Sequence, residues 1–255
     1  MNKKIILITG ATSGIGEACA EIFAEAGHDL ILTGRRKERL DALEKRLFDQ
    51  YGCRSISLNF DVRSRAETEA ALNGLPKDWK KVDVLVNNAG LAAGLDPLQE
   101  GDPDDWDRMI DTNVKGLLYV SRTVIPWLVE RSQGHVINIG STAGKEVYAK
   151  GNVYCASKHA VDALTKGMRI DLLGKGVKVT QIAPGAAETE FSEVRFHGDK
   201  ERAKQAYEGY RPMSALDIAG LVKMVTELPE HLCINDLVVT SLAQANSFYI
   251  HRNSN

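Results

Sequence analysis

The stretch Thr9-Gly10-Ala11-Thr12-Ser13-Gly14-Ile15-Gly16 lies between a short apolar run and a helical pattern, and it decides the fold class. Its three glycines let the backbone turn tightly and come close to a bulky anion. A helix that begins after such a turn offers N–H groups and the positive end of its dipole to that anion. The spacing is G-x-x-x-G-x-G rather than the G-x-G-x-x-G of the common dinucleotide fingerprint. Because the loop follows a strand and opens a helix, it predicts a pyrophosphate site; a plain glycine-rich turn is the alternative.

Beyond this loop, short apolar runs alternate with longer helical patterns along the chain. The predicted strands cover residues 4–9, 29–33, 54–59, 82–86, 135–139, 177–182 and 237–240. The predicted helices cover residues 14–26, 37–50, 66–73, 103–131, 152–173 and 216–227. This alternation, without linker or repeat, predicts one doubly wound α/β domain over residues 1–255, with a parallel sheet of about seven strands and helices on both faces. The polar segment 188–212 has no strong period and is long for a plain connection, which is typical of a lid over a site.

The overall composition is that of an ordinary globular protein. Hydrophobic residues make up 44% and charged residues 26% of the 255 residues, which excludes a disordered or fibrous chain. The 32 basic and 34 acidic side chains give a formal charge of −2, so no basic excess points to a nucleic acid or an anionic membrane as partner. The cysteines and histidines are scattered without metal-ligand spacing, so we expect no metal. The first apolar run is too short for a secretion signal and no run is long enough for a membrane span, which predicts a cytoplasmic protein.

Two arginines stand at the end of the second predicted strand, where an NAD site would carry an acidic residue. The residues there are Thr33-Gly34-Arg35-Arg36, and two guanidinium groups could hold a 2′-phosphate through bidentate contacts. We therefore expect NADP(H) rather than NAD as the cofactor. Two solvated arginines that open a helix are the alternative.

Further small and polar residues follow the third and fourth predicted strands, at the edge where open α/β sheets bind ligands. Asp61 could accept a hydrogen bond from an adenine amino group, and the residues after the fourth strand could shape the cofactor groove. An ordinary turn is the alternative at each position. The cofactor-binding residues predicted in this half of the chain are Gly10, Thr12, Ser13, Gly14, Ile15, Gly16, Arg35, Arg36, Asp61, Val62, Asn87, Ala89 and Gly90.

Tyr154 and Lys158 lie one turn apart in the predicted helix 152–173, so the phenol and the ammonium share one face. Such a Tyr-x-x-x-Lys pair is expected roughly 0.5 times by chance in a chain of this composition. Ser141 precedes the tyrosine and follows the fifth predicted strand, and requiring it at its spacing lowers the chance expectation to roughly 0.02. Together with the glycine loop, the three residues indicate a catalytic set.

On these residues the chain resembles the short-chain dehydrogenases/reductases over essentially its full length. The matching elements are 9–16, 87–90, Asn113, Ser141, Tyr154, Lys158 and Pro184-Gly185. The resemblance implies a Rossmann-like fold, an NAD(P) cofactor and an Asn–Ser–Tyr–Lys catalytic set, with Pro184, Gly185 and Thr189 beside the nicotinamide. It also implies a homotetramer that packs through the helices predicted at 103–131 and 152–173.

The resemblance gives each member of the set a role. Tyr154 would exchange a proton with the substrate oxygen, and because an isolated tyrosine has a pKa of about 10, the Lys158 ammonium would have to lower that pKa. Ser141 would donate a hydrogen bond to the oxygen on which charge develops. Lys158 would also hold the nicotinamide ribose, so Tyr154 and Lys158 count as cofactor-binding residues as well. Asn113 would support a water-linked proton path behind Lys158.

A narrower resemblance, to the NADP-dependent 3-hydroxy acid dehydrogenases that act on serine and related acids, appears in the second half of the chain. The similar segments are 138–144, 151–154, 188–192, 194–199 and 249–252. A carboxylate substrate needs a nearby cation, and we expect Arg195 to supply it, with Ser141 and Tyr154 completing the substrate site. A surface or intersubunit arginine is the alternative. Residues 237–242 and the pair Lys145-Glu146 depart from the subgroup, and both could reshape the pocket.

Two other functions stay open at this point. The same chemistry could act on a ketone, a sugar or another secondary alcohol. A non-catalytic NADP-binding sensor could use the same fold, although a sensor does not need the proton carrier that Ser141, Tyr154 and Lys158 form.

Overall fold

Parallel strands form the centre of the molecule, which the computed structural model describes over residues 3–253. The strands are β1 (Ile5–Thr9), β2 (Asp29–Gly34), β3 (Ser55–Asn59), β4 (Val84–Asn87), β5 (Gly134–Ile139), β6 (Val177–Pro184), β7 (Ala187–Glu188), β8 (Met213–Ser214) and β9 (Asp236–Val239). Within the described residues, seven of them form one sheet in the order β3-β2-β1-β4-β5-β6-β9, and every neighbouring pair is parallel. The strand order reverses between β1 and β4, so the predicted doubly wound, Rossmann-like sheet is confirmed.

Helices cover both faces of this sheet because its strands are apolar on both sides. Along β1, Ile6 and Ile8 face one apolar layer and Leu7 faces the other, and all three are fully buried. The helices are α1 (Gly14–Glu25), α2 (Lys37–Tyr51), α3 (Arg65–Asn73), α4 (Pro103–Ile110), α5 (Leu117–Glu130), α6 (Asn152–Asp171), α7 (Phe191–Arg195), α8 (Lys200–Gln205) and α9 (Ala215–Glu227). The predicted strands and the helices other than 103–131 end within two residues of the observed bounds.

The helix predicted at 103–131 is interrupted by a wider turn. Asp102 caps its start by accepting a hydrogen bond from the Asp104 N–H, with Pro103 in the first position. Residues Asp111–Gly116 then form a π-helical turn, and α5 continues the same rod. A π turn inserts a residue without ending the helix, and apolar periodicity does not reveal it.

The segment 188–212 contains short elements that its sequence does not show. Its two ends are held together because β7 pairs in parallel with β8. Between them lie α7 and α8, each too short for a helical period to be visible. The segment therefore leaves the sheet and returns to nearly the same place.

The tail, residues 241–253, crosses this segment. The Asn253 N–H donates to the Gly209 carbonyl oxygen at 2.7 Å. The Arg252 guanidinium donates to the carbonyl oxygens of Ala206, at 3.1 Å, and Glu208. Among the helices of residues 3–253, none combines the length and the apolar character that a membrane crossing requires.

Candidate active site

A cavity of about 510 Å³ opens at the carboxyl edge of the sheet, beside the point where the strand order reverses. Its volume lies within the range of small-molecule and cofactor sites, about 300–1,000 Å³. The loops after β1, β2, β3, β4, β5 and β6 all contribute residues to its wall, as does the segment 188–212. Eighteen of the predicted site residues line it, and sixteen of these are Gly10, Thr12, Ser13, Gly14, Ile15, Arg35, Arg36, Asp61, Val62, Ala89, Gly90, Ser141, Tyr154, Lys158, Pro184 and Gly185. Thr189 and Arg195 line it as well.

The glycine loop enters the cavity with two residues in the left-handed region. Gly10 has φ +67° and Gly14 has φ +54°, conformations that side chains disfavour. Within the described chain, Ser13 places no side-chain oxygen on the first N–H groups of α1, so the start of this helix is open toward the cavity. Gly16 lies outside the cavity lining and serves packing, because a methyl group there would clash with the Gly10 carbonyl oxygen.

The two arginines after β2 differ in their surroundings. Arg36 donates to Thr12 Oγ1 at 2.9 Å and to Ser13 Oγ at 2.8 Å, so it holds the glycine loop. It also pairs with Glu190 at 3.0 Å. The side chain of Arg35 is 54% exposed and lies 3.6 Å from Asp61.

Asp61 is partnered within the chain. Its carboxylate accepts hydrogen bonds from the Arg63 guanidinium at 2.7 and 2.9 Å and from the Arg63 N–H at 3.0 Å. Although burial raises the pKa of the Asp61 carboxyl, the hydrogen bonds from Arg63 outweigh that effect and hold the pKa below its usual value. The Asp61 carboxylate is therefore ionised near neutral pH and can accept a further hydrogen bond.

The asparagines after β4 divide into one that faces the cavity and one that does not. Asn87 is buried away from it and donates to Ser121 Oγ at 3.0 Å and to Asn138 Oδ1 at 2.9 Å. Asn88 lines the cavity and donates to the carbonyl oxygens of Thr9, at 2.9 Å, and Gly10, at 3.2 Å. The sequence pattern pointed to the correct loop but missed Asn88, which holds the glycine loop to β4.

The three residues singled out for catalysis lie in one wall of the cavity. Ser141 precedes a short 3₁₀ turn, accepts a hydrogen bond from the Ala143 N–H at 3.1 Å and donates to the Pro184 carbonyl oxygen at 3.3 Å. Tyr154 and Lys158 occupy successive turns of α6, with Lys158 Nζ 6.0 Å from the centroid of the Tyr154 ring. Lys158 Nζ donates to the Ile139 carbonyl oxygen at 3.0 Å.

Asn113 lies behind this wall, inside the π turn. Its side-chain amide accepts from the Leu91 N–H and donates to the Leu91 carbonyl oxygen, both at 2.8 Å, and also donates to Ser157 Oγ at 2.9 Å. A methyl group on Gly90 would lie 3.2 Å from Asn113 Oδ1 and 3.6 Å from Lys158 Nζ. Asn113 thus reaches the neighbourhood of Lys158 without lining the cavity.

Burial has the largest effect on the pKa values of Tyr154 and Lys158 in this wall. It raises the pKa of Tyr154 above its usual value, and Tyr148 adds to the rise, whereas hydrogen bonding to Ser141 and the charge of Arg195 lower that pKa by less. Burial also lowers the pKa of Lys158 to about 8. In the chain alone, the pKa of Tyr154 is thus shifted in the direction opposite to the expected one, because the loss of hydration outweighs the nearby positive groups.

Arg195 projects from α7 against the same wall. Its guanidinium carbon lies 5.4 Å from the centroid of the Tyr148 ring and 5.8 Å from that of Tyr154. Its Nε donates to the Gly94 carbonyl oxygen at 3.3 Å, while its buried Nη2 has no hydrogen-bond partner among the described residues. Because Arg195 lines the cavity, its guanidinium group suits an anionic ligand.

The tail also contributes to the cavity, which its resemblance over 249–252 did not specify and its lack of periodicity could not indicate. Gln244, Ser247 and Ile250 line it, and Gln244 Oε1 accepts a hydrogen bond from the Ala186 N–H at 2.8 Å. Glu146 holds the tail in place by accepting from the Ser247 N–H at 3.0 Å. Lys145 turns away from the cavity and pairs with Asp162 and, at 2.6 Å, with Asp236.

The residues of the cavity suit a dinucleotide. Glycine backbone and an open helix start lie on one side, the exposed Arg35 guanidinium at one end, and the buried Lys158 ammonium, with one backbone oxygen as its hydrogen-bond partner, at the other. A buried charge so sparsely paired is costly unless a ligand supplies further hydrogen-bond acceptors. Among residues 3–253, no cluster of three or more His, Cys, Asp or Glu side chains could hold a metal ion.

Comparison with known proteins agrees with this arrangement. The model of the short chain dehydrogenase family matches residues 4–200. A Salmonella typhi protein named NADP-dependent 3-hydroxy acid dehydrogenase is 48% identical over 242 residues, which cover 94% of this chain and 96% of that protein. A Chromohalobacter salexigens protein named sulfoacetaldehyde reductase 2 is 45% identical over 246 residues, covering 96% of this chain and 97% of that protein.

A solved structure, described as the closed form of serine dehydrogenase complexed with NADP⁺, superposes with a TM-score of 0.91 at 45% identity. The superposition covers 98% of this chain and 100% of the serine dehydrogenase chain. The family model spans the glycine loop and the catalytic wall, the matches to whole proteins cover 94% or more of this chain, and together they confirm the resemblance found from the sequence. The chain therefore belongs to the short-chain dehydrogenase family.

Proposed function

We propose that this protein is an NADP-dependent oxidoreductase that interconverts a small, serine-like 3-hydroxy acid and its oxo or semialdehyde partner. The observation that carries the proposal is the shared cavity, which the glycine loop, the Ser141–Tyr154–Lys158 wall and Arg195 all line. The names of the similar proteins, which include NADP-dependent 3-hydroxy acid dehydrogenase and serine dehydrogenase, support the same cofactor and substrate class.

The residues that would hold NADP(H) follow from the walls of the cavity. The open start of α1 and the loop around Gly14 suit the pyrophosphate, and Arg35 with Ser13 suits the 2′-phosphate. Lys158 suits the nicotinamide ribose, with Gly185 and Thr189 beside the nicotinamide. When bound, NADP(H) accepts or supplies the hydride of the reaction.

The chain itself would manage the proton. In the reducing direction, Tyr154 donates its phenolic proton to the oxygen on which negative charge develops, and in the oxidising direction its phenolate removes the proton of the alcohol. Ser141 donates a hydrogen bond to that oxygen. The Lys158 ammonium favours the phenolate once a ligand has excluded water, and Asn113 holds the Gly90–Leu91 backbone next to Lys158.

The Arg195 guanidinium would bind the substrate carboxylate. It lies over the Tyr154 ring, and a planar fork of donors matches a carboxylate. Binding there would put the acid group on the side of the cavity that the segment 188–212 lines. We propose that this segment is a lid that closes over the substrate and that residues 1–255, of which 1, 2, 254 and 255 lie outside the described chain, form one domain.

The decisive experiment pairs Tyr154→Phe with direct cofactor binding. We expect NADPH affinity, measured by fluorescence titration, to stay as in the wild type while turnover of a serine-like substrate falls by about 10²- to 10⁴-fold. Tyr119→Phe, on α5 and outside the cavity lining, is the matched control and should retain full turnover. Appreciable turnover by Tyr154→Phe would contradict the assigned role.

The substrate panel separates the alternatives. It contains serine, a 3-hydroxy acid without the amino group, a sulfonate-bearing aldehyde, a sugar and a secondary alcohol without any acid group. Preference for the acid-bearing compounds supports the proposal, and preference for the neutral ones supports a general alcohol dehydrogenase. A wild-type protein that binds NADPH and turns over none of them would be a sensor.

Two further properties belong to the proposal. Helices α5 and α6 carry exposed apolar side chains, Leu118 and Ile170, and Leu173 follows α6 in an exposed position, which supports a homotetramer packed through these helices. Light scattering after size exclusion gives the mass of the assembly directly.

The small-molecule substrate, together with the near-zero net charge, supports a cytoplasmic protein without a nucleic acid or membrane partner. Fractionation of cells that express the protein would test this location.

A further inference from the structure

Glu190 is a cavity residue that the proposed reaction does not use. It follows Thr189 at the start of the proposed lid, and its side chain is 41% exposed at the rim of the cavity. Glu190 Oε2 lies 3.0 Å from Arg36 Nη1, and Glu190 Oε1 lies 2.7 Å from Arg39 Nη1. One carboxylate thus joins two guanidinium groups at the start of α2.

We propose that Glu190 is a positioning residue that closes an ionic clasp with Arg36 and Arg39 across the mouth of the dinucleotide cavity and slows release of the bound dinucleotide. The inference rests on the proposed function, since it takes the cavity as a dinucleotide site. It adds a residue that controls how the cofactor enters and leaves.

The contacts around the clasp show that it spans three separate parts of the chain. Arg36 donates to Thr12 and Ser13 of the glycine loop as well as to Glu190. A methyl group on Gly14 would lie 3.2 Å from Thr189 Cβ, so the residue before Glu190 already touches the same loop. The clasp therefore ties the lid to the glycine loop and to α2 at the rim.

The clasp joins one carboxylate to two guanidinium groups, and the two positive neighbours keep Glu190 ionised. Although burial raises the pKa of the Glu190 carboxyl, hydrogen bonds from Arg39 and Arg36 outweigh that effect and hold the pKa below its usual value. The carboxylate is therefore ionised over the neutral range. Because all three partners are partly exposed, the clasp can open and close in solution, and salt weakens it.

The geometry favours a clasp over direct reading of the 2′-phosphate by Arg36. Three of the Arg36 hydrogen bonds hold Thr12 and one holds Ser13, and the Glu190 carboxylate would repel a phosphate group placed on the same guanidinium. Arg35, which has no such partner within 3.5 Å among the described residues, is better placed to bind the phosphate. The clasp should consequently act on NADPH and NADH alike.

The test measures dissociation of NADPH and NADH by stopped-flow displacement, without turnover. In Glu190→Gln we expect both dinucleotides to leave about three- to tenfold faster, the scale of two partly exposed ion pairs. Raising the salt concentration should accelerate release from the wild type more than from the variant. Glu188→Gln, an exposed neighbour outside the cavity lining, is the matched control and should behave as the wild type.

A second variant keeps the test independent of the cavity itself. Arg39 does not line the cavity, so Arg39→Gln weakens the clasp without changing a lining side chain; besides the clasp it removes one long hydrogen bond, of 3.5 Å, to the Thr12 carbonyl oxygen. We expect faster release in Arg39→Gln and, in the double variant with Glu190→Gln, no more than the effect of Glu190→Gln alone.

Three results would overturn the clasp: unchanged release in Glu190→Gln, additive effects in the double variant, or tighter binding of NADPH alone. The last would mean that Glu190 competes with the 2′-phosphate for Arg36. A wild-type chain that fails to bind either dinucleotide would instead overturn the proposed function, and the two failures are therefore distinguishable.

Discussion

The cofactor half of the cavity and its substrate half are built in different ways. The glycine loop is packed by backbone: Gly10 and Gly16 come so close to neighbouring chain that a methyl group on Gly16 has no space. Apart from the short β7–β8 pairing, the segment 188–212 and the tail are instead held by separate hydrogen bonds, such as those of Arg252 to Ala206, of Gln244 to Ala186 and of the Asn253 N–H to Gly209. From this difference we infer that the cofactor half is preformed. The substrate half can move as a unit when those few contacts break.

Gly16→Ala gives the largest expected effect because the clash is with backbone. The new methyl group would meet the Gly10 carbonyl oxygen and lie 2.5 Å from Asn88 Nδ2, so the loop must shift. We expect a loss of about 3 kcal/mol in the free energy of unfolding, measured by urea denaturation. Gly167→Ala, in α6 with open space around it, is the control and should stabilise the protein by about 0.5–1 kcal/mol. Equal behaviour of the two variants would contradict the preformed loop.

Arg195→Ala examines the substrate half. Losing the guanidinium should raise the KM for a 3-hydroxy acid by about ten- to a hundredfold, the scale of a charge-assisted hydrogen-bonded pair. NADPH affinity should remain unchanged, since Arg195 approaches Tyr148 and Tyr154 and not the glycine loop. Arg195→Lys keeps the charge without the fork and should fall between the two. An unchanged KM in Arg195→Ala would remove Arg195 from the substrate site.

Lys158→Met examines the junction of the two halves. The Lys158 ammonium is buried with one backbone partner, so replacing it by an apolar side chain should raise the free energy of unfolding by about 1–3 kcal/mol while abolishing turnover. Its folded pKa of about 8 lies below the unfolded value of 10.5, so the unfolded chain binds more protons between these values. The free energy that burial of the Lys158 charge costs the folded protein is therefore fully present below pH 8. This cost disappears as the pH rises toward 10.5.

The measurement is the difference in unfolding free energy between Lys158→Met and the wild type at pH 7 and at pH 9.5. The gap should narrow at the higher pH. A gap that is constant with pH would show that Lys158 is not buried as a charged group in the ligand-free protein.

Gln244→Ala should have the smallest effect. It removes one hydrogen bond, from the Ala186 N–H at 2.8 Å, which is worth about 1 kcal/mol or less. We expect little change in global stability but faster proteolysis of the tail in the ligand-free protein. Cleavage of the tail at the wild-type rate would show that other contacts hold it.

The cofactor half of the cavity could be predicted from the sequence more completely than the substrate half. The glycine loop, the alternation of strands and helices and the wall of Ser141, Tyr154 and Lys158 depend on local spacing and on apolar periodicity, which a sequence displays directly. The choice of Asn88 over Asn87 depends on which face of β4 each side chain takes, and the strand has apolar residues on both faces. The tail residues reach the cavity through long-range contacts with no periodic signal. The rise of the Tyr154 pKa follows from burial, which spacing alone does not measure.

The π turn at Asp111–Gly116 lies between α4 and α5, so the geometry of the site depends on the number of residues in this continuous helical stretch. Deleting one residue there would restore ordinary α geometry and turn everything on one side of it by about 100° and 1.5 Å relative to the other. Asn113 would lose its paired contacts with the Leu91 backbone, and its neighbour Thr112, which lines the cavity, would be displaced as well. A single-residue deletion in this helical rod would thus change the rotation of α5 relative to the cap at Asp102, and the loop after β4 would lose its support.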